Sequence, residues 1–437
     1  MRSSTSFTVS NIANFKESLL QWAQQFSDVV WLDSNAHKDK YSSFDVVLAV
    51  DGLTSLVTDH HNAFEDLTTY QSETKDWIFG YLSYDLKNNV ERLSSNNFDG
   101  LNFPDLYFFQ PKKIISISGN TIVFRYLNMV DDETESDFES ILNNSYEIEE
   151  AVVETHPVKI KLRIFKDSYF DRVRKMLDHI HRGDIYEANF CQEFYAQETV
   201  INPLKTYNKL NDISKAPFAT FVKIGDKYLL SASPERYIKK RKNKIISQPI
   251  KGTAKRSLDM EEDEQLRKNL ENDVKERAEN IMIVDLVRND LSKSAKKGSV
   301  EVKELCKVYT FSQVHQMIST VVAKVSKSKN PVEIIKETFP MGSMTGAPKV
   351  SAMKIIEDLE ATKRGLYSGA VGYFTPENNF DFNVVIRSIL YNATEEYVSF
   401  SVGSAITAKA SPEKEYEECL IKAKAMREVL EGHSYAN

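Results

Sequence analysis

The residue pattern predicts an α+β fold dominated by large antiparallel β-sheets. Three observations carry this expectation. Apolar, β-rich runs succeed one another through short polar turns, most densely over residues 366–406, where three strands are expected with turns near 375–379 and 392–396. Strands joined so tightly pair antiparallel, because a parallel neighbour needs a long crossover. A few separate segments carry helical periodicity instead, and 437 residues suffice for two or three ordinary domains or one large enzyme fold.

In chain order, WIFGYLSYDL (77–86) is an apolar, aromatic strand in which Gly80 permits close backbone approach. KKIISISGNTIVFRYL (112–127) is a hairpin about Ser118-Gly119-Asn120. Residues 131–150 hold nine acidic side chains and no basic one, which predicts a solvated connection or mobile loop. It divides an N-terminal region, 1–150, from a larger part, 151–437. KDSYFDRVRKMLDHIHRG (166–183) is a helix with Tyr169, Val173, Met176, Leu177 and Ile180 on one face, capped by Asp167 or Ser168 and ended by Gly183. Hairpins follow about Gly225-Asp226 and about the basic tip 239–244. NDVKERAENIMIVDLVRNDL (272–291) is apolar on every side across Ile281–Val284, implying a buried helix, with a strand as the alternative for that short run. The last helix starts at Ser411 and Pro412 and buries Tyr416, Cys419, Leu420, Ala423, Met426 and Leu430.

Composition excludes several classes. The net charge of −7, without a long basic tract, argues against a nucleic-acid partner. Three scattered cysteines without CxxC spacing exclude a disulfide framework and a zinc site, and fit a reducing compartment. No signal-like start and no run of 18 apolar residues are present, so no membrane association is expected and the expected address is cytoplasmic.

Candidate chemistry is concentrated in five places. Glu415, Glu418 and Lys422 share one helical stripe, and Glu276 and Glu279 precede an apolar turn. Each stripe by spacing alone reads first as a solvated flank; if two face each other, the alternative is a site for Mg²⁺, which takes oxygen ligands and keeps exchangeable waters. FPMGSMTGAPKVSAMKII (339–356) is a Gly/Ser/Thr-rich loop entering a helix, either a plain turn or an anion cradle. Arg387 lies inside an apolar strand and needs a carboxylate from the protein or from a ligand. Lys251 of QPIKGTAKR ends a strand; it is a nucleophile only if its amine is uncharged, with Ile246, Pro249 and Ile250 as the apolar wall.

These segments, together with GDIYEANFCQEF, SASPERY, VHQMIST, RGLYSGAVGYF and SPEKEYEE, resemble the chorismate-utilising enzyme family in order, over about residues 165–425. WLDSN and WIFGYLSYDL resemble its amino-terminal segment, where relatives have a tryptophan pocket. The resemblance implies a sandwich of large antiparallel sheets with flanking helices, as in anthranilate and aminodeoxychorismate synthases. It implies Mg²⁺ on Glu279 and Glu418, with Glu276 and Glu415 close by. It implies a substrate site from Gly252, Thr253, Tyr367, Arg387, Gly403 and Lys422, His315 as the active-site histidine, and Glu235 as the acid/base. Lys251 stands where anthranilate synthases usually carry alanine; a lysine there marks the aminodeoxychorismate synthase branch, in which it attacks chorismate covalently. That branch serves the 4-aminobenzoate and folate pathway, and since no glutaminase nucleophile segment occurs here, ammonia is expected from a separate glutaminase subunit.

Two departures stand out. The family's Gly-rich substrate loop reads GSAITAKAS (403–411), with Ala405 for a glycine and Lys409 for an aspartate, and Glu187 stands where glutamine is common. Anthranilate or isochorismate synthase chemistry, or an inactive chorismate-binding regulator, are the competing readings.

Overall fold

The computed structural model describes residues 1–437 except 38, 145–157, 312–313 and 433–437. Twenty strands join into one continuous system, and every strand-to-strand ladder in it is antiparallel. The long strand Leu106–Ser118 is the branch point, pairing with Val46–Thr58, Ile78–Leu82 and Thr121–Leu127.

One arm runs from Val46–Thr58 through Asp28–Asp33, Phe218–Ile224, Lys227–Ser233, Ser388–Asn392 and Tyr397–Thr407 to Glu187–Ala196. The other runs from Ile78–Leu82 through Ala370–Phe374, Phe380–Val384, Arg236–Arg241 and Lys244–Gln248 to Val314–Lys324, which also pairs with Ile250–Lys255 and Glu301–Thr310. N-terminal strands thus pair directly with C-terminal ones in both arms.

Period-two alternation sends side chains to two cores. Val29 and Trp31 join the helix-covered core, whereas Val30 between them joins a core that also contains Phe79, Val371, Ile238 and Val321 of the other arm. The arms therefore face each other as a sandwich. Helices Ile12–Trp22, Lys166–Arg182, Pro203–Ser214, Lys349–Leu359 and Pro412–Glu431 cover its outer face, which confirms the expected fold.

Several local expectations hold. The hairpins 106–127 and 218–233 form, and Gly183 ends its helix at φ +85°. At Gly80 an added Cβ would lie 1.9 Å from the Tyr107 carbonyl oxygen, so only glycine fits that crossing.

Others need correction. Within the acidic stretch, Thr134–Asn143 is a helix: Phe138 stacks on Phe7 at 4.0 Å, Ile141 is buried, and Lys113 neutralises Asp137 and Glu133, both at 2.5 Å. The rest of the stretch that lies in 145–150 falls outside the described residues. The 366–406 region forms four strands rather than three, because the run broken at Arg387 has φ +51° there. Arg387 is therefore at a strand junction, not inside a strand. Helix Val274–Ser294 is continuous, but Ile281 is 41% exposed while Ile283 and Val284 are buried. Phe165, not Asp167 or Ser168, occupies the cap position of helix Lys166–Arg182, without a side-chain cap bond. The basic tip narrows to residues 242–243, since Lys239 and Lys240 are buried in the strand. Tyr416 and Leu420 are only half-buried.

Candidate active site

Lys251 is the meeting point of four elements. The strand Ile250–Lys255 carries it, the strand Glu187–Ala196 supplies Glu187, and helices Val274–Ser294 and Pro412–Glu431 supply the remaining glutamates. Its amine lies 3.7 Å from Glu187 Oε1 and 4.0 Å from Glu279 Oε2. Burial pulls its pKa down, but Glu187 and then Glu279, Glu418 and Glu235 outweigh burial and hold it above the ordinary lysine value. The expected apolar wall and uncharged amine are thus replaced by a carboxylate surround and an ammonium. The local run Pro249-Ile250 could not reveal groups brought in from distant strands and helices.

Of the four glutamates expected to hold a metal, Glu279 and Glu418 act on this amine, and Glu276 and Glu415 interact with those two. Glu279 is buried and its Oε1 has no hydrogen-bond partner. Glu415 is buried and accepts from Ser404 Oγ, and burial raises its pKa. Burial and then Glu279 raise the Glu276 carboxyl. For Glu418, burial is outweighed by Lys422, 2.7 Å away, and its pKa is lowered. Lys275 stands among them, 3.8 Å from Glu279 and 3.9 Å from Glu415. Among the described residues no three of these carboxylates have oxygens within 4.8 Å of one another. An all-oxygen donor set on two helices, loosely spaced and with one orphaned buried oxygen, fits a hard divalent cation that keeps several waters, as Mg²⁺ does.

Glu235 is buried where the strands Lys227–Ser233 and Arg236–Arg241 meet, and it accepts a 2.8 Å hydrogen bond from Ser343 Oγ. Burial raises its carboxyl to about 7, against the opposing pull of Ser343, Lys251 and the Ile250 N–H. A carboxyl titrating there suits proton transfer at neutral pH. Ser343 belongs to the Gly/Ser/Thr-rich loop, which is not an open anion cradle. It is buried, the Met344 and Thr345 N–H groups bond within it, and Lys349 ties it to Asp290 and the carbonyls of Thr338 and Pro340.

Arg387 answers the question its sequence raised. Burial lowers its pKa with no compensating charge, and its guanidinium has neither an ion pair nor a hydrogen bond to the described residues. Half-buried and unpaired, its guanidinium is available to a ligand carboxylate. Nearby backbone links, Ala232 N–H to Arg387 O and Val384 N–H to Glu235 O, tie its junction to the Glu235 turn.

The remaining expected residues divide. Gly252 has φ +86°, and a Cβ there would lie 3.2 Å from Glu276 Oε2, so glycine lets the Lys251 strand approach that helix. Thr253 is exposed beside it. Gly403 is required because a Cβ would lie 2.3 Å from Asn189 Oδ1; its carbonyl accepts from Lys422 at 2.9 Å. The segment expected as a loop there continues as strand to Thr407, with Ala405 opposite Asn189. Tyr367 is buried, its hydroxyl 3.9 Å from Cys191 Sγ. His315 is buried, but its ring contacts are Thr310 Oγ1 at 2.9 Å and Asp263 Oδ1 at 3.0 Å, not Lys251 or Glu235. The sequence did not nominate Ser343, Lys275 or Asp263, and it marked Glu187 only as a departure from glutamine.

Residues 25–428 match the family described as chorismate binding enzyme. A probable chloroplastic aminodeoxychorismate synthase of Oryza sativa subsp. japonica is 40% identical over 295 residues, 67% of this chain. The match spans only 32% of the rice protein's length. Anthranilate synthase component 1 of Aquifex aeolicus is 32% identical over 368 residues, 81% of this chain and 74% of that one. The crystal structure of anthranilate synthase component I from Streptococcus pneumoniae superimposes with a TM-score of 0.75 at 24% identity, covering 90% of this chain and 94% of that one, which shows the shared fold. No helix among the described residues is long and apolar enough to cross a membrane. With the family matched across nearly its whole length, the chain belongs to the chorismate binding enzymes.

Proposed function

We propose that the chain aminates chorismate to 4-amino-4-deoxychorismate, the aminodeoxychorismate synthase reaction, with Lys251 as covalent nucleophile. The observation that supports this reading is the half-buried Lys251 amine, which faces Glu187 and Glu279 and feels the charge of Glu235, the residue expected to act as the acid. Relatives named for anthranilate synthesis are comparably similar, so the choice between the two reactions rests on this residue.

Arg387 pairs with a substrate carboxylate, and Gly252, Thr253, Gly403, Tyr367 and Lys422 frame the ring. The Lys251 ammonium first gives its proton to solvent, and the free amine adds at C2; the double bond shifts, the C4–O bond breaks, and Glu235 donates the proton that lets the hydroxyl leave as water. Ammonia then adds at C4, the C2–N bond breaks, and the lysine is released with its electron pair, while Glu235 recovers a proton from the new ammonium. Glu276, Glu279, Glu415 and Glu418 would hold Mg²⁺, which would supply positive charge to the site and offset these carboxylates. His315, held by Thr310 and Asp263, supports the wall of the site. Ammonia comes from a separate glutaminase subunit in a heterodimer, the product feeds 4-aminobenzoate and folate synthesis, and the enzyme works in the cytoplasm.

The test is product analysis: chorismate, Mg²⁺ and ammonium are supplied, and the products are separated and identified by mass. A 4-amino product is expected. Formation of 2-aminobenzoate or isochorismate alone sinks the proposal.

A further inference from the structure

Glu187 deserves a role that its position, rather than its residue type, assigns. It is 1% exposed and sits in a strand clamped on both sides, opposite Thr407 in one neighbour and Ala347 in the other. The clamp is tight: a Cβ on Gly346 would lie 2.1 Å from the Glu187 carbonyl oxygen. The backbone that presents this carboxylate is therefore fixed, whereas the lysine it faces has a flexible four-carbon stem.

Partnering is equally one-sided. Glu187 Oε1 faces the Lys251 amine at 3.7 Å, and Oε2 is buried without a hydrogen-bond partner. A buried carboxylate with no other cation is tolerated only through the one it has. Glu279, the second carboxylate near the amine at 4.0 Å, belongs to the metal-holding group in the reading above. Glu187 is on a different element and remains for the lysine alone. A glutamine of the same shape would offer no charge to fix the amine.

We propose that Glu187 is a positioning residue for Lys251: its clamped carboxylate holds the amine over C2 of the bound ring and thereby directs ammonia to C4. The proposal rests on the reading of Lys251 as the nucleophile. Where the amine is held loosely, water or ammonia competes for C2 and the product ratio changes.

The experiment compares wild type, Glu187→Gln and Glu187→Asp with chorismate, Mg²⁺ and ammonium, following kcat, KM and the ratio of 4-amino to 2-substituted products. In Glu187→Gln, kcat for the 4-amino product is expected to fall about 10- to 100-fold, with KM within about twofold and a 2-substituted product appearing. Glu187→Asp is expected to recover part of both rate and ratio. A control independent of turnover uses melting temperatures: Lys251→Ala is expected to melt below the Lys251→Ala/Glu187→Gln double variant, because the single variant strands a buried carboxylate. If wild type yields the 4-amino product and Glu187→Gln yields it at the same rate and ratio, this proposal is overturned and the functional reading survives. If wild type yields none, the functional reading itself fails.

Discussion

Two partly buried charge clusters in this molecule are built on the same sandwich and finished differently. Around Arg236, every charge is matched. Its guanidinium bonds Asp381 at 3.0 Å and Asp39 at 2.5 Å and also reaches Gln248, while Lys239 takes the other Asp381 oxygen at 2.8 Å and bonds Ser43. Around Lys251, carboxylates outnumber amines, oxygens of Glu187 and Glu279 lack hydrogen-bond partners, and Arg387 has no counter-ion among the described residues. The first cluster stitches residues 39, 236 and 381 into one framework and floors a hollow of about 70 Å³ near Leu32 and Ser34, where the sequence placed the relatives' tryptophan pocket. The second leaves charges that, in the proposed reading, a dicarboxylate and a cation would complete. Buried polar groups are normally satisfied, so a cluster that the chain leaves incomplete marks where a ligand belongs.

This contrast predicts opposite phenotypes. Removing a group from the incomplete cluster should abolish chemistry and spare the fold. Lys251→Ala and Arg387→Met are each expected to lower 4-amino product formation on the order of 1000-fold, with little change in melting temperature for Arg387→Met and, for Lys251→Ala, only the loss from the stranded Glu187 carboxylate. A purified, folded variant of unchanged rate would remove the residue from the mechanism.

The matched cluster should respond the other way. Arg236→Met leaves the half-buried Asp39 without its arginine and Asp381 with Lys239 alone, and breaking a largely buried network in this manner costs about 3 kcal/mol of stability. Urea unfolding measures it, with residual specific activity per folded molecule near that of wild type. Equal losses of stability in Arg236→Met and Lys251→Ala would erase the distinction between the clusters.

What could be read from the sequence follows the same line. Local periodicity gave the hairpins and the helix Lys166–Arg182, because alternation and a terminal glycine are written in adjacent residues. Resemblance nominated Glu235, Glu279 and Lys251. Charge compensation was the illegible part, since it comes from partners distant in the chain. Residues 134–143 looked solvated until Phe7 and Lys113 supplied the packing and the counter-charge. Lys251 looked flanked by Pro249 and Ile250, yet its surround is set by Glu187 and Glu279. Arg387 looked like a strand residue because apolar neighbours stand on both sides, and its left-handed backbone has no sequence signature for a non-glycine.

A smaller effect sharpens the acid/base half of the incomplete cluster. Burial raises Glu235 to about 7, and the Ser343 hydrogen bond, which favours the carboxylate, restrains that rise. Activity that needs the protonated acid falls as pH climbs through this value. Ser343→Ala removes the restraint, so the Glu235 pKa rises further and the alkaline limb of kcat/KM moves to higher pH. A profile measured from pH 5.5 to 9 checks the direction, and a limb that moves down in pH contradicts the assignment.

The smallest effect concerns Lys275, which tests whether incompleteness at the glutamates means room for a cation. Its ammonium lies just under 4 Å from Glu279 and from Glu415, on a side chain 57% exposed to solvent. At that distance in a water-like dielectric a charge pair is worth about 1 kcal/mol, or roughly fivefold in an equilibrium constant. Mg²⁺ entering among these carboxylates meets the ammonium as a like charge, so Lys275→Met is expected to bind Mg²⁺ about two- to fivefold more tightly. Titration calorimetry of the protein with MgCl₂ reads this without turnover. Arg236→Lys, at the matched cluster, is expected to leave Mg²⁺ affinity unchanged, because both carboxylates of that cluster already have a cation. Weaker Mg²⁺ binding in Lys275→Met would mean that the lysine organises the glutamates rather than competing for them, and the metal site would have to be drawn elsewhere.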